Sequence, residues 1–302
     1  MTETLRPKAA AILDRGRREV DTFDVLDVED PSSSLLPSFS SSSSGIFSLR
    51  GKPGLGYYVA MSFGTPPQTL NVLVDTGSSN LAVACAPDPY VDQFFALDNS
   101  TSWKPTGIRV MVPYTQGKWE GQLVTELVSV ASVAPSSGAP DPNDDAATNE
   151  SFYSIENGVV RIRANLACIE TSKNFFINGS KWHGILGLGY PVIARPSPEV
   201  TPFMEALTAV RAVERDLFAL KLCGTMDTRS RVDVSMGGSL DLGEIDATAF
   251  EGPVFFTRIR RRWYYDVVMT DVDVEGQSVG VEKSCQEFNI DKTIVDSGTW
   301  LR

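Results

Sequence analysis

Histidine is almost absent from this chain, which contains only His183 among 302 residues. A serine or cysteine nucleophile usually needs an imidazole base, and protein zinc sites usually take several histidine or cysteine ligands. The scarcity argues against both chemistries and leaves carboxylates as the groups for acid and base work. His183 itself lies between Trp182 and Gly184, and we interpret it as a structural or surface residue.

Basic residues are too few for binding to nucleic acid. The formal net charge is -11 at pH 7, whereas phosphate binding depends on clustered Lys and Arg. One short basic cluster, 258–262, is interpreted as a solvated strand end in preference to a binding patch. We therefore expect no nucleic-acid partner.

Cysteines are few and far apart in the sequence: Cys85, Cys168, Cys223 and Cys285. No Cys-x-x-Cys pair suggests zinc binding or thiol redox chemistry, so disulfides are the favoured use if the chain is secreted. Glycosylation sequons at Asn99, Asn149 and Asn178 agree with a secretory route, although sequons also arise by chance.

Long apolar runs are missing as well. Residues 1–30 are charged and lack the apolar core of a signal peptide. No stretch approaches the ~20 apolar residues that span a bilayer, so we expect no transmembrane anchor in this chain. Either the protein is cytosolic or the chain is incomplete at its ends, and the resemblance described below favours the second.

The composition that is present, 42% hydrophobic and 22% charged residues, is that of a soluble globular protein, and the length suggests roughly two folded units. Residues 1–48 include a serine-rich stretch that cannot bury a core, so they are predicted to be disordered apart from a short charged helix before residue 30. The predicted N-terminal lobe covers 49–247, and 248–302 begin a second lobe.

The folded part is dominated by strand patterns between turns, which predicts an all-β fold. One helix is predicted at 202–217, with Thr201 as its cap and an apolar stripe that packs in the core. A composition rich in Pro, Ser, Gly, Asp and Asn predicts an exposed loop at 134–149. The predicted strands are 57–63, 69–74, 109–112, 122–129, 159–169, 218–222, 264–274 and 293–295.

An apolar strand that ends in an aspartate and a glycine turn occurs twice. The first copy is Asp75-Thr76-Gly77-Ser78-Ser79-Asn80 and the second is Asp296-Ser297-Gly298-Thr299. Glycine lets one backbone approach another, so such a unit can present a carboxylate at the floor of a cleft. One copy alone is weak, because turns favour Asp and Gly anyway. Two copies indicate a paired site.

These loops resemble the catalytic loops of the pepsin family of aspartic endopeptidases. The resemblance implies that Asp75 and Asp296 share one proton and activate a water that attacks the peptide carbonyl, without a metal, cofactor or covalent intermediate. The pair titrates as a unit, so the protonated member is not assigned from sequence. Support roles, for which ordinary turn capping is the alternative, fall to the neighbouring residues: Thr76, Gly77, Ser78, Ser297, Gly298 and Thr299.

The segment 112–119 resembles the flap hairpin that closes over substrate in the same family. An aromatic hairpin alone is more often plain structure, but this one lies between the two Asp loops. The resemblance assigns four residues to the substrate-binding flap: Tyr114, Thr115, Gln116 and Trp119. The run 185–189 resembles the support that threads behind the first catalytic loop.

Over about 49–297 the chain is similar to the beta-secretases in particular. The resemblance implies a bilobal pepsin-like fold, polypeptide substrates that are ectodomains of membrane proteins, and a place in the secretory pathway, Golgi, endosome or plasma membrane. Family chains continue after the second Asp loop, so the second lobe is expected to be truncated and Cys223 and Cys285 to lack partners. Cys85 and Cys168 are additions, which we expect to pair if their strands are neighbours.

Two alternatives stay open at this stage. The chain could be a truncated product without activity that acts at most as a binding module, with exposed apolar surface that lowers its solubility. A retroviral-type homodimer with Asp75 from each copy is disfavoured, because the second Asp-Ser-Gly would then be redundant.

Overall fold

The structure is a computed structural model that describes residues 11–14, 45–115, 117–130, 153–156, 159–213, 215–223, 237–246, 249–280 and 285–298. Two short α-helices are described, α1 (Phe203–Ala209) and α2 (Cys285–Phe288). The strands are β1 (Ala11–Asp14), β2 (Gly45–Lys52), β3 (Gly56–Phe63), β4 (Gln68–Asp75), β5 (Leu81–Ala84), β6 (Lys104–Tyr114), β7 (Gly117–Val130), β8 (Tyr153–Glu156), β9 (Val159–Lys173), β10 (Gly184–Gly187), β11 (Leu217–Leu222), β12 (Gly238–Leu242), β13 (Arg261–Arg262), β14 (Tyr265–Val267), β15 (Asp273–Val274), β16 (Gln277–Ser278) and β17 (Thr293–Ile294).

Twelve strands form one large sheet in the order β1-β11-β12-β2-β3-β4-β10-β5-β9-β7-β6, with β8 paired to β9 and a further β3 to β7 contact. Most pairs are antiparallel, but β10 runs parallel to β4, and β5 runs parallel to β9. In this strand order, β10 lies between β4, which enters the first Asp loop, and β5, which leaves it.

Both faces of the strand that carries the first aspartate are buried. Val72 and Val74 pack in one apolar cluster, while Leu73 packs in a second. Successive side chains of a strand point to opposite faces, so β4 has no solvent-facing side near its end. This double burial fixes the position at which Asp75 leaves the sheet.

The strands after residue 260 belong to two small sheets, β13-β14-β17 and β15-β16. Several large apolar side chains from residue 255 onward are exposed, with Phe255 at 87% and Ile290 at 79%. The predicted boundary between lobes, at residues 247–248, falls outside the described residues, between β12 and β13. It stays a prediction.

The N-terminal segment differs from its prediction. Residues 1–48 were expected to be disordered or helical, but the two parts that the structure describes are strands. β1 pairs with β11, opposite residues such as Leu220, and β2 begins at Gly45 and pairs with β12 and β3. The prediction is wrong for these residues, because distant strands supply hydrogen bonds that local composition does not reveal.

The predicted helix 202–217 is also too long. α1 covers only Phe203–Ala209, its N-cap is Pro202 rather than Thr201, and no side chain caps it. The chain leaves the helix near Arg211, whose φ of 53° is left-handed, and enters β11 at Leu217. The predicted strand 264–274 is two short strands, β14 and β15. The other predicted strands are found with longer or slightly shifted ends, and the loop 134–149 lies outside the described residues.

A disulfide joins Cys85 and Cys168, with their Cα atoms 5.2 Å apart. β5 runs beside β9 and places Val83 opposite Cys168, so the two cysteines lie on neighbouring strands as expected. Cys223 is a free, half-buried thiol, and the side chain of Cys285 lies outside the described part of the chain.

His183 is buried and bonded through both ring nitrogens. Its Nδ1 accepts from the backbone N–H of Asn71 at 3.1 Å, and its Nε2 lies 2.8 Å from a carboxylate oxygen of Asp92. Because Nδ1 is an acceptor, we assign the proton to Nε2, which donates to Asp92. The histidine is therefore a structural residue, as the sequence predicted.

Candidate active site

The first Asp loop is held from behind by the segment after β10. Gly187 pairs with Asp75 in the parallel ladder. The Leu188 N–H donates to the Asp75 carbonyl at 2.8 Å, and the Gly189 N–H donates to the Ser78 carbonyl at 2.7 Å. The run 185–189 therefore fixes the turn that follows Asp75.

The second Asp loop meets the first face to face. A Cβ placed on Gly77 would lie 2.7 Å from the carboxyl carbon of Asp296, and a Cβ on Gly298 would collide with the carboxyl group of Asp75. The two carboxyl groups also interact electrostatically, and the charge of Asp296 raises the pKa of Asp75. Each glycine leaves the space that the opposite aspartate fills.

Thr76 and Ser297 connect the loops by four hydrogen bonds. The Thr76 N–H donates to Ser297 Oγ at 3.1 Å and the Ser297 N–H to Thr76 Oγ1 at 2.9 Å. The Thr76 hydroxyl donates to the Val295 carbonyl and the Ser297 hydroxyl to the Val74 carbonyl, each at 2.8 Å. This symmetric brace sets the distance between the loops, and both residues lie where the sequence analysis expected loop support.

Each carboxylate is also fixed within its own loop. Asp75 accepts from the Ser78 hydroxyl at 2.5 Å and from the Gly77 N–H at 2.9 Å. Asp296 accepts from the Gly298 N–H at 2.8 Å. Thr299, the expected counterpart of Ser78, lies outside the described residues.

The environment of Asp75 favours its protonated form. Burial, followed by the nearby charge of Asp296, raises the pKa of Asp75 to about 7 against the opposing hydrogen bonds from Ser78 and Gly77. Two carboxylates this close cannot both ionise easily, so the pair retains one proton over a wide pH range.

A cavity of about 330 Å³ opens above the two carboxyl groups. The hairpin of β6 and β7 covers it with Tyr114 and Thr115.

The Tyr114 ring stacks on Phe175 at 5.3 Å, and its hydroxyl accepts from the Trp119 indole N–H at 3.3 Å. Burial, followed by the charge of Asp75, raises the pKa of Tyr114. Trp119 therefore supports the hairpin without lining the cavity, and Gln116 lies outside the described residues.

Sequence reasoning missed two cations in the cavity wall, Arg195 and Lys292. The Lys292 ammonium lies 4.4 Å from the ring centre of Tyr264, which also lines the cavity. Arg195 is placed by its backbone, which exchanges two hydrogen bonds with the Asn80 side chain. The sequence offered one indication, since Lys292 lies four residues before Asp296 and could have been expected near the site. No nearby motif indicated that Arg195 would line the cavity.

Two absences apply to the described residues only. Within them, no group of three or more His, Cys, Asp or Glu side chains is placed to hold a metal ion. None of the helices assigned there has the length and apolar character needed to cross a membrane.

Comparison with known proteins places the chain in a family. The family model "Eukaryotic aspartyl protease" matches residues 56–139 and 153–302. A "Beta-secretase" of Strongylocentrotus purpuratus is 41% identical over 262 residues, which cover 83% of this chain and 43% of that protein. The "Embryonic pepsinogen" of Gallus gallus is 30% identical over 249 residues, covering 81% and 54%. The "Pepsin II-2/3" of Oryctolagus cuniculus is 28% identical over 253 residues, also covering 81% and 54%.

The chain spans about half the length of these curated relatives. The matched family, the mostly-strand architecture and the two facing Asp loops agree with one another. The chain belongs to the eukaryotic aspartyl protease family and has its all-β, pepsin-like fold.

Proposed function

We propose that this chain hydrolyses peptide bonds as an aspartic-type endopeptidase, with the carboxyl groups of Asp75 and Asp296 as its acid and base. The observation that carries the proposal is the reciprocal contact of each carboxyl with the glycine of the opposite loop. This contact puts both acids at the floor of one cavity, beneath the Tyr114 hairpin.

The chemistry follows from one shared proton. One carboxyl group of the pair holds that proton, which leaves the other to take a proton from a water bound between them. The water oxygen then attacks the peptide carbonyl carbon, while the protonated carboxyl group donates its proton to the carbonyl oxygen. In the second step, the carboxyl group that took the water proton passes it to the amide nitrogen as the carbon–nitrogen bond breaks, and the other carboxyl group recovers its proton from the hydroxyl of the intermediate.

The surroundings serve this chemistry by fixing geometry. Ser78 and the Gly77 N–H orient the Asp75 carboxyl, while Thr76 and Ser297 set the spacing of the loops. Preorganised hydrogen bonds of this kind reduce the reorganisation needed at the transition state. Tyr114 and Thr115 form the roof that would exclude water and press on a bound peptide.

We further propose that the substrates are ectodomains of membrane proteins and that the protein works in the secretory pathway, the endosome or at the plasma membrane. Support comes from the 41% identity to a protein named beta-secretase. The disulfide between Cys85 and Cys168 and the exposed sequon residues Asn99 and Asn178 fit an oxidising, glycosylating compartment.

A quenched fluorogenic peptide library, assayed from pH 4 to pH 8, tests the activity. We expect cleavage that declines as pH rises through about 7, where the last proton leaves the pair. Asp75→Asn and Asp296→Asn should each lose on the order of 1,000-fold in kcat, since the acid and base act as a unit.

Asp92→Asn is the matched control, because this carboxylate is exposed and bonds His183, and neither residue lines the cavity. It should keep full activity. Cleavage that survives Asp75→Asn would rule out the paired mechanism. An inactive parent protein that still binds peptides would instead favour the binding-module alternative.

A further inference from the structure

Four hydrogen bonds form a closed ring that passes through both Asp loops. The Asp75 carbonyl accepts from the Leu188 N–H at 2.8 Å, and the Leu188 carbonyl accepts from the Tyr265 hydroxyl at 2.6 Å. The Tyr265 carbonyl accepts from the Val295 N–H at 3.0 Å, and the Val295 carbonyl accepts from the Thr76 hydroxyl at 2.8 Å. Thr76 follows Asp75 in the chain, so the ring closes there.

Tyr265 is the member that connects two separate sheets. Its backbone belongs to β14, in the small sheet that also contains β17 and leads to Asp296. Its side chain is fully buried and reaches the segment behind the first loop, between the rings of Tyr190 at 5.2 Å and Phe218 at 5.8 Å. One residue therefore contacts the support of Asp75 with its hydroxyl and the approach to Asp296 with its carbonyl.

We propose that Tyr265 is a positioning residue that holds the two aspartates at their working separation. The inference rests on the proposed function of Asp75 and Asp296. The peptide unit between Asp75 and Thr76 is held at its N–H by Ser297 and at its carbonyl by Leu188, which Tyr265 bonds in turn. Two attachments at opposite ends of one peptide unit restrain its rotation more than either attachment alone, so the contact through Leu188 and Tyr265 adds to the Thr76 and Ser297 brace.

Loosening this ring has a specific consequence for the acid pair. The charge of Asp296 contributes to the raised pKa of Asp75, and Coulomb coupling weakens as two charges separate. A variant that lets the loops move apart should therefore lower the pKa of Asp75 toward its ordinary range. It should also slow catalysis, because small errors in placement of reacting groups are costly.

Tyr265→Phe tests the proposal, and Tyr57→Phe is its matched control. Both substitutions remove one tyrosine hydroxyl that donates to a backbone carbonyl, at 2.6 Å to Leu188 and at 2.7 Å to Cys223. Both substitutions keep the aromatic ring, so both variants should lose similar stability. Only Tyr265, however, belongs to the cycle of hydrogen bonds between the loops.

For Tyr265→Phe we expect kcat to fall roughly threefold to tenfold with KM within about twofold, as for an interaction used mainly in the transition state. The alkaline limb of its pH profile should shift to lower pH by about half a unit. Tyr57→Phe should keep the kcat of the parent protein, and its activity should fall at the same alkaline pH as that of the parent. Equal loss of activity in the two variants, or an unshifted limb in Tyr265→Phe, would overturn the proposal.

A carboxyl titration separates this inference from the proposed function. With ¹³C-labelled aspartate, NMR follows the highest carboxyl pKa in parent, Tyr265→Phe and Tyr57→Phe proteins without any substrate. If the parent cleaves no peptide, the endopeptidase proposal fails, but a pKa lowered only in Tyr265→Phe still supports the positioning role. An unchanged pKa contradicts it.

Should Tyr265→Phe not fold, hydrogen exchange in the parent protein provides the test. A ring that opens as a unit gives the Leu188 and Val295 amides similar protection. Protection factors that differ by about 100-fold or more would show that the two loops open independently, which would overturn the inference.

Discussion

The carboxyl carbon of Asp296 lies 2.7 Å from the point that a Cβ atom on Gly77 would occupy. Real Cβ atoms do not approach carbon so closely, so any side chain at Gly77 must push the two loops apart. The lack of a side chain at Gly77 is therefore needed for the Asp296 carboxyl group to lie this close to the first loop.

Gly77→Ala should reduce kcat by about 100-fold or more, because it displaces the reacting carboxyl by a substantial fraction of an ångström. Peptide cleavage under single-turnover conditions measures the effect. Gly252→Ala is the control, since its Cβ would meet no atom within 4 Å although its φ of 95° disfavours alanine. Comparable losses in both variants would mean that destabilisation, rather than crowding, was responsible.

Asp75 should make the protein less stable as pH rises. Its folded pKa of about 7 lies above the ordinary 3.8, so between these values the folded state binds a proton that the unfolded chain releases. The free energy of unfolding should therefore fall with increasing pH, by up to about 1.4 kcal/mol per pH unit from this group. Urea unfolding at pH 4, 5.5 and 7 measures the trend.

Asp75→Asn removes that slope, so its stability relative to the parent should improve steadily from pH 4 to pH 7. Asp92→Asn is the comparison. Hydrogen bonds from His183 and Lys181 lower the pKa of Asp92, so its influence is lost only as pH falls below about 4. A gap between Asp75→Asn and parent that stays constant with pH would contradict the assigned burial of Asp75.

The disulfide should contribute strongly to stability, since it closes a loop between residues 83 positions apart. The chain-entropy relation gives about 4.5 kcal/mol for such a loop, and native bonds typically give 2 to 5. The double variant Cys85→Ala/Cys168→Ala should lower the denaturant midpoint accordingly. Cys223→Ala, which removes the free thiol, should leave the midpoint nearly unchanged; a similar loss in both would argue against the pairing.

The buried carboxylate of Asp266 should govern acid stability in the small sheet. Burial alone would raise the pKa of Asp266, but hydrogen bonds from Arg260, Arg261 and Trp263 outweigh it and lower the pKa to about 2. A depressed pKa means stability that is present above about 4 and lost as pH falls toward 2.

Asp266→Asn should therefore destabilise the protein by about 2 kcal/mol at pH 6, because it weakens the charge-assisted hydrogen bonds from Arg260 and Arg261. The penalty should shrink at pH 2.5, where the parent carboxylate is itself being protonated. Urea unfolding at the two pH values measures it. An equal penalty at both would indicate lost packing instead of lost charge.

The same ion pair refines one reading of the sequence. The cluster 258–262 was interpreted as a solvated strand end, and all four of its arginines are exposed to solvent. Arg260 and Arg261 nevertheless bond the fully buried Asp266 through their guanidinium groups. A run of basic residues in the sequence identifies the cations. Which carboxylate each of them bonds depends on how the strands pair in the folded structure.

Local patterns predicted the elements whose determinants are local. The two aspartate loops, the β-rich character and most strands could be read directly, because each depends on alternation, turn residues and a few adjacent positions. β1 could not be, since its hydrogen-bond partner is β11, about 200 residues away. The roles of Arg195, Lys292 and Tyr265 were not predicted for a similar reason, because each depends on contacts with residues that are not adjacent in the sequence.

The sequence by itself determined that this chain has two strand-to-turn units, each ending in an aspartate followed closely by a glycine, and almost no histidine for other chemistry. The structure decided that these units face each other, with Gly77 against Asp296 and Gly298 against Asp75. The physical reason is that the raised pKa of Asp75, the hydrogen bonds of Thr76 and Ser297, and the cavity above the carboxyl groups all depend on contacts between the two loops. Contacts between residues more than 200 positions apart are set by how the sheets pack rather than by either local sequence.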